Sequence, residues 1–258
     1  MLTVISPAKT LDCEAPSTTR KTSVPQFLDS AAELVQDMQS LSPDEIRELM
    51  SVSEGIAQLN HRRFMNWAPP FSLENAKQSV LAFKGTVYTG LQADTFSARQ
   101  FNYAQRHLCI LSGLYGLLRP LDLIQAYRLE MGLKFINRRG NNLYQFWGSK
   151  ITHGLNAQLK KNRADLLVNL ASMEYFKAIK LGELNADVIT PVFKDMKSGK
   201  YKIISVYAKK ARGQMARFII DNEVTDPDGL RKYDCDGYRY NKGESTARTL
   251  VFTRKKEG

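Results

Sequence analysis

A buried strand and a turn are predicted in residues 108–122, which read LCILSGLYGLLRPLD. The first four residues form an unbroken apolar run, which is typical of a buried β-strand. Gly113 and Gly116 follow the run and indicate a glycine-hinged turn. The segment has the position of a phosphate-binding turn, but it contains neither G-x-G-x-x-G nor G-x-S-x-G. It therefore predicts a strand and a turn without a dinucleotide-binding or hydrolase signature.

Further strands and helices are predicted on both sides of this segment. Apolar runs predict strands at residues 1–5, 79–83, 166–170, 188–193, 202–207 and 249–253, and residues 87–89 continue the second of these or start another. Apolar residues at helical spacing predict helices at residues 27–39, 43–50, 55–67, 97–107, 143–159, 173–180 and 209–221. Residues 197–200 predict the turn of a hairpin.

Two of the predicted helices begin with capping boxes. Ser42-Pro43-Asp44-Glu45 combines a serine N-cap, a proline at the first helical position and a glutamate at the third. Ser97 and Gln100 form the same pattern. The chain contains no internal repeat and no linker rich in Pro, Gly or Ser. We therefore predict an α+β fold of irregular, mixed α/β order in a single domain, residues 1–258.

The charge of the chain is unevenly distributed. The 258 residues include 37 Lys+Arg and 26 Asp+Glu, a formal net charge of +11. Residues 1–60 carry 4 basic and 9 acidic side chains, whereas residues 134–217 carry 17 basic and 5 acidic ones. Such asymmetry indicates a polyanionic partner or an anionic substrate. The alternative is a basic protein whose charges only face solvent.

Several features indicate a cytoplasmic protein that does not enter a membrane. No apolar run approaches the ~18 residues of a spanning helix. The first residues, MLTVISPAKT, lack the basic region of a signal peptide. Cys13, Cys109 and Cys235 are odd in number and widely spaced, which argues against a disulfide framework. The three histidines and three cysteines lack metal-ligand spacing, so we expect neither a metal nor a cofactor.

Polar residues at predicted turns and element ends are the candidate site residues. Residues 6–10 (SPAKT) end the first strand, and residues 83–91 (FKGTVYTGL) contain glycines that permit close approach of a ligand to the backbone. Ser172 is a predicted N-cap, and a helix N-terminus attracts anions. Arg119, Arg128 and Glu130 are expected to form an ion cluster, a structural arrangement more often than a catalytic one.

The predicted helix after Tyr207 carries four cations within nine residues. Lys210 and Arg217 share one face, and Lys209 and Arg212 share another. Such a helix is suited to contact phosphates, although a run of charged residues more often forms a solvent-exposed helix face. The predicted phosphate-binding residues are Ser6, Lys9, Thr10, Lys84, Tyr88, Tyr115, Arg119, Arg128, Ser172, Lys209, Lys210, Arg212 and Arg217. The catalytic candidates, if the protein is an enzyme, are Lys9, Ser112 and Glu130.

Seven blocks, in this order, resemble the YaaA family of bacterial peroxide-stress proteins. They are SPAKT (6–10), FKGTVYTGL (83–91), LSGLYGLLRPLD (111–122), YRLEMG (127–132), LYQFWG (143–148), NLASMEY (169–175) and YAKKARG (207–213). The resemblance implies a single-domain, cantaloupe-like mixed α/β fold with a positively charged cleft and a helix–hairpin–helix element. It also implies binding of duplex and branched DNA in protection against oxidative damage, and no established enzymatic activity.

The best match to a helix–hairpin–helix element is residues 43–64, with the hairpin near residues 51–55. This hairpin lacks the usual Gly-h-Gly and lies in an acidic segment, and residues 113–116 are a second candidate. Three functions therefore stay open: sequence-independent DNA binding, an enzyme acting on a nucleobase, nucleotide or damaged DNA, and an indirect effect on free iron. The residues do not determine the oligomeric state.

Overall fold

The computed structural model describes residues 1–255 as a mixed α/β structure. Its strands are β1 Leu2–Ile5, β2 Thr10–Leu11, β3 Lys77–Gln78, β4 Phe83–Lys84, β5 Leu108–Ser112, β6 Gly116–Leu118, β7 Leu123–Ile124, β8 Leu166–Leu170, β9 Asp187–Lys197, β10 Lys200–Lys202, β11 Arg239–Tyr240 and β12 Thr249–Arg254. Its α-helices are α1 Leu28–Gln39, α2 Pro43–Met50, α3 Glu54–Met65, α4 Ser79–Ala82, α5 Thr86–Leu91, α6 Ala98–His107, α7 Leu143–Trp147, α8 Lys150–Asn162, α9 Met173–Phe176, α10 Ser205–Asp221 and α11 Pro227–Arg231. Short 3₁₀ turns lie at Ala93–Thr95, Leu181–Glu183, Cys235–Gly237 and Lys242–Glu244.

A mostly parallel, 8-stranded sheet forms the centre of the molecule. Its strands follow the order β11-β12-β9-β8-β1-β5-β6, and β10 pairs with β9. The β1–β5, β1–β8, β8–β9 and β9–β12 pairs are parallel, and the outer pairs are antiparallel. All residues of β1 and β5 are buried, as expected for strands covered on both faces.

The predicted strands at 1–5, 108–111, 166–170 and 249–253 and the hairpin around residues 197–200 are confirmed, as are both capping boxes. Ser42 accepts a hydrogen bond from the Glu45 backbone N–H, and the Glu45 carboxylate accepts one from the Ser42 N–H at 2.7 Å. Ser97 and Gln100 repeat this arrangement. These features depend on neighbours in the sequence, which is why the sequence predicts them.

The strand prediction for residues 79–83 and 87–89 is wrong. Ser79–Ala82 is a short helix between two-residue strands, and Thr86–Leu91 is a helix. All four residues of α4 are buried, so the segment has no polar face that would reveal a helical period. Short, fully apolar runs are ambiguous between strand and helix for this reason.

Three further boundaries differ from the prediction. The single helix predicted at 143–159 divides into α7 and α8 at Gly148, whose φ of +50° is accessible to glycine. The helix predicted at 173–180 ends at Phe176, because Ala178 and Ile179 donate to carbonyls three residues earlier. The strand predicted at 202–207 ends at Lys202, and helix α10 begins at Ser205.

Candidate functional site

A cavity of about 360 Å³ lies beside the carboxyl ends of β1 and β8. The two strands are parallel, with Ile5 opposite Leu170, so the segments that follow them leave the sheet at the same edge. This is the edge at which sheets of this kind bind ligands. Helices α5 and α10 supply further lining residues. The lining includes nine predicted site residues: Ser6, Lys9, Thr10, Lys84, Tyr88, Glu130, Ser172, Lys209 and Arg212.

Hydrogen bonds hold the two strand ends together at this cavity. The Ser172 backbone N–H donates to Ser6 Oγ at 2.8 Å, and the two hydroxyl oxygens are 3.3 Å apart. Tyr88 of α5 donates from its hydroxyl to the Ser6 carbonyl at 3.1 Å. Burial raises the pKa of Tyr88 well above its ordinary value, so this hydroxyl stays a donor across the physiological pH range. Three separate segments are therefore fixed to one another.

Glu130 places a buried carboxylate at the cavity. Its Oε1 atom lies 3.1 Å from Lys9 Nζ and 2.9 Å from the Arg128 guanidinium. Its Oε2 atom is buried and has no hydrogen-bond donor within residues 1–255. The residue as a whole is 8% exposed. Because a buried carboxylate oxygen without a donor is costly, this oxygen is a natural acceptor for a ligand.

Arg212 places a cation at the same cavity without a carboxylate partner. It is half-buried, and it forms no ion pair or side-chain hydrogen bond among residues 1–255. Burial lowers the pKa of its guanidinium. Lys209, also on α10, is exposed and equally unpaired in the described part of the chain. Lys84 lies 4.0 Å from the Asp12 carboxylate, at the limit of an ion pair.

The other two cations of α10 face a different groove. Lys210 pairs with Asp236 at 2.8 Å, and Arg217 pairs with Asp221 at 2.8 Å. Neither lines the cavity, and both contribute to a neighbouring groove. The predicted division of the helix into two cationic faces is confirmed. Only the face with Lys209 and Arg212 belongs to the cavity.

Four further predicted site residues lie outside the cavity lining. Ser112 is fully buried and bonds to the Tyr127 hydroxyl at 2.6 Å. Tyr115 is fully buried and accepts a hydrogen bond from Trp67 at 3.0 Å. Arg119 pairs with Asp122 at 2.8 Å, so the expected cluster of Arg119, Arg128 and Glu130 is reduced to its last two members. Arg128 pairs with Glu130 and lines a small pocket that adjoins the cavity.

Helices α5 and α10 meet through two glycines. A Cβ on Gly213 would lie 1.8 Å from the Val87 carbonyl oxygen, and a Cβ on Gly90 would lie 2.2 Å from the Lys210 carbonyl oxygen. Both distances are too short for any side chain. The Gly90–Gly213 seam therefore brings the α10 backbone against α5 and places Lys209 and Arg212 at the cavity.

Comparison with known proteins decides the family. The model of the family described as "Peroxide stress protein YaaA" matches residues 1–244. The chain belongs to this YaaA family. A UPF0246 protein of Cellvibrio japonicus is 56% identical over 255 residues, 99% of each chain. UPF0246 proteins of Aliivibrio fischeri and Teredinibacter turnerae are 56% and 53% identical, over 99–100% of either chain. The resemblance of the seven blocks is confirmed.

Of the two predicted positions of the helix–hairpin–helix element that the YaaA resemblance implies, one is a pair of helices with an exposed connection. Helices α2 and α3 are joined by Ser51–Ser53, and Ser51 adopts φ +49°. The alternative, residues 113–116, is buried: a Cβ on Gly113 would lie 2.1 Å from the Leu129 carbonyl oxygen, and one on Gly116 would meet the Trp147 ring. A turn enclosed in this way has no free face for DNA.

Sequence reasoning missed several lining residues of this YaaA-family site. Glu174 and Tyr175 lie in the block NLASMEY, and Pro7, Thr86 and Val87 lie in the blocks SPAKT and FKGTVYTGL. Only their position in these blocks could have indicated that they line the site, because the individual residue types do not. Burial raises the pKa of Tyr175, which leaves a neutral aromatic ring at the cavity wall.

Residues 1–255 contain neither a cluster of metal-ligand side chains nor a helix suited to span a membrane. No three His, Cys, Asp or Glu side chains come close enough together there to hold a metal ion. None of the described helices combines the length and apolar character needed to cross a bilayer. The expectations of no metal and no cofactor stay predictions.

Proposed function

We propose that this cytoplasmic YaaA-family protein binds duplex or branched DNA through the cations around the cavity, and thereby protects DNA or assists its repair under oxidative stress. Arg212 is the observation that carries the proposal. A half-buried guanidinium with no carboxylate partner within residues 1–255 favours an external anion, and a phosphate matches its planar array of donors. The membership in a peroxide-stress family gives the physiological setting.

The neighbouring cations support contact with a polyanion. Lys9, Lys84 and Lys209 line the same cavity, and none of them is fully buried. Lysine and arginine side chains bind phosphates without reading the bases, so this contact is largely independent of sequence. The cavity is far too small for a duplex, which would therefore lie across its mouth.

The helix pair α2–α3 is the proposed helix–hairpin–helix element. Such an element binds DNA through backbone N–H groups of its hairpin, and these contact phosphates without reading the bases. The Ser51 and Val52 N–H groups donate to the carbonyls of Glu48 and Arg47, so the exposed Ser53 and the first turn of α3 would supply these groups here.

The DNA-binding proposal is tested by measuring affinity for a duplex and a four-way junction over a series of salt concentrations. We expect Lys209→Ala, Lys210→Ala and Arg212→Ala together to reduce affinity and to lower the slope of log K against log salt by about 2 to 3. The matched control removes three exposed cations elsewhere, by Arg99→Ala, Arg239→Ala and Arg248→Ala, with the same change of net charge. Equal effects of the two triple variants would contradict a localised site.

An enzyme acting on a nucleobase, a nucleotide or damaged DNA is the second candidate. The volume of about 360 Å³ favours it, because it lies within the range of small-molecule sites. The paired Lys9 and Glu130 are the catalytic candidates at this cavity. The test is turnover of a panel of lesion-bearing oligonucleotides, with Lys9→Ala and Glu130→Gln as inactive references. No product from any lesion would count against this candidate.

A further inference from the structure

One carboxylate oxygen and one guanidinium at the cavity lack hydrogen-bond or ion-pair partners within residues 1–255. Glu130 Oε2 is buried with no donor, and Arg212 is half-buried with no acceptor, among residues 1–255. The two side chains do not pair with each other, although both line the cavity. A ligand that satisfies both must carry a hydrogen-bond donor and an anionic group.

The remaining walls provide apolar and aromatic surface on which a flat ring can lie. Pro7, Val87 and Leu170 supply apolar surface, and Tyr88 and Tyr175 supply aromatic surface. An aromatic or apolar wall with few polar groups is the usual environment of a planar ligand. A planar ring that bears N–H donors and is linked to a phosphate is a nucleotide.

We infer that the cavity binds a single nucleotide unit, with the phosphate at Arg212 and an N–H or NH₂ group of the base at Glu130. This inference deepens the proposed DNA-binding function and rests on it for the origin of the nucleotide. Lys9 acts as the gate to the carboxylate. Its side chain is 66% exposed and can move into solvent, because the buried Glu130 carboxylate keeps its second ion pair, with Arg128.

Two sources can supply the nucleotide unit. One is a free nucleotide, and the other is a nucleotide turned out of a DNA helix, as in proteins that bind an extruded base. Both present the same phosphate and base edge, so the cavity alone does not discriminate between them. A duplex lying across the mouth would place the second source directly at the cavity.

The experiment measures binding of the four deoxynucleoside 5′-monophosphates and of deoxyribose 5-phosphate to the full chain by calorimetry. We expect at least one nucleotide to bind about tenfold more tightly than the sugar phosphate, since a hydrogen bond to a carboxylate contributes this much. Arg212→Gln should weaken all five ligands about tenfold, while the exposed control Arg99→Gln should change none. Glu130→Gln should remove the preference for nucleotides over the sugar phosphate.

Lys9→Ala keeps the inference testable if Glu130→Gln does not fold. With the gate absent, the preference for nucleotides over deoxyribose 5-phosphate should persist or grow. A wild-type protein that binds nucleotides no better than the sugar phosphate would overturn the inference. A Lys9→Ala variant that loses the preference would overturn the gate.

A duplex containing 2-aminopurine distinguishes the two sources, because its fluorescence rises when the base leaves the stack. A rise with the wild type that Glu130→Gln abolishes would assign the cavity to an extruded nucleotide. Nucleotide binding without a rise would assign it to a free nucleotide. Duplex binding with neither signal would overturn the nucleotide cavity and leave the DNA-binding proposal standing, whereas nucleotide binding without duplex binding would do the reverse.

Discussion

The cavity and the helix pair α2–α3 are two candidate contacts for DNA, and their charges are arranged differently. At the cavity, Lys209 and Arg212 have no carboxylate partner within residues 1–255. On the helix pair, Arg47 beside the turn lies 3.4 Å from Asp44, whereas Arg62 and Arg63 at the far end of α3 have no carboxylate partner within residues 1–255. Exposed carboxylates also flank the turn between the two helices, at Glu45, Glu48 and Glu54.

The difference shows that the number of cations in a segment predicts an anion-binding site less well than the absence of carboxylate partners for those cations. Four cations stand close together on α10, yet two of them are neutralised by Asp221 and Asp236. The two that remain available lie on the face that the Gly90–Gly213 seam brings to the cavity. An anion gains most where a cation has been partly desolvated and left unpaired.

The largest effect is expected at the seam that positions α10. Gly213→Ala places a Cβ 1.8 Å from the Val87 carbonyl oxygen, so the two helices must separate. We expect the free energy of unfolding to fall by about 3 kcal/mol. The control is Gly182→Ala, where nothing lies within 4 Å of the new Cβ. Urea denaturation of both variants measures the difference. Similar urea midpoints for the two variants would contradict the close contact between α5 and α10 at Gly213.

The contributions of the two candidate contacts to DNA affinity can be compared with two double variants. Lys209→Ala with Arg212→Ala should lower the salt slope of DNA binding by about 2, one for each lost phosphate contact. Arg62→Ala with Arg63→Ala removes the same charge from α3 and should leave the slope almost unchanged. Melting temperatures verify that both double variants are folded. A larger effect of the α3 variant would make the helix pair the principal contact.

A smaller effect is expected from the cap of α2. Ser42→Ala removes an acceptor of the Glu45 N–H and should cost about 1 kcal/mol in the free energy of unfolding. Ser53 at the start of α3 is the matched control, because its side chain makes no capping hydrogen bond. Ser53→Ala should therefore cost less. Chemical denaturation resolves the two values, and DNA affinity should stay the same in both if the cavity is the principal site.

The smallest effect concerns the other end of β1, away from the cavity. His107 lies 3.0 Å from the Met1 carbonyl oxygen, and burial lowers its pKa below the ordinary 6.5. The unfolded state therefore takes up a proton more readily, so stability should decline as the pH falls through about 6.5. His107→Gln should flatten the stability curve in this range. Curves of equal slope for wild type and variant would exclude His107 as the cause.

Several features of the site could be predicted from the sequence because they depend on local patterns. The 3.6-residue period separates Lys209 and Arg212 from Lys210 and Arg217, and the structure keeps this separation. The apolar runs at 1–5 and 166–170 predict strands whose following residues lie at the cavity. The capping boxes are equally local.

The burial of Ser112 and Tyr115 could not be predicted in this way. Their turn looks like a ligand-binding loop in the sequence, but Trp67, 48 residues before Tyr115, and Tyr127, 15 residues after Ser112, close over it. The strand prediction for residues 87–89 is wrong for a related reason, since they lie in the helix Thr86–Leu91. Its Gly90 permits the close approach of α10, a contact between segments more than 100 residues apart.

The sequence by itself determined the mixed α/β class, the parallel strand signals, the cationic faces of α10 and the resemblance to the YaaA family. These follow from periodicity, local hydrogen bonding and residue order, which need no tertiary contact. Only the tertiary structure decided which charges are neutralised and which face the cavity. The reason is that ion pairs such as Lys210–Asp236 and the burial of Glu130 Oε2 depend on packing between segments that are distant in the sequence.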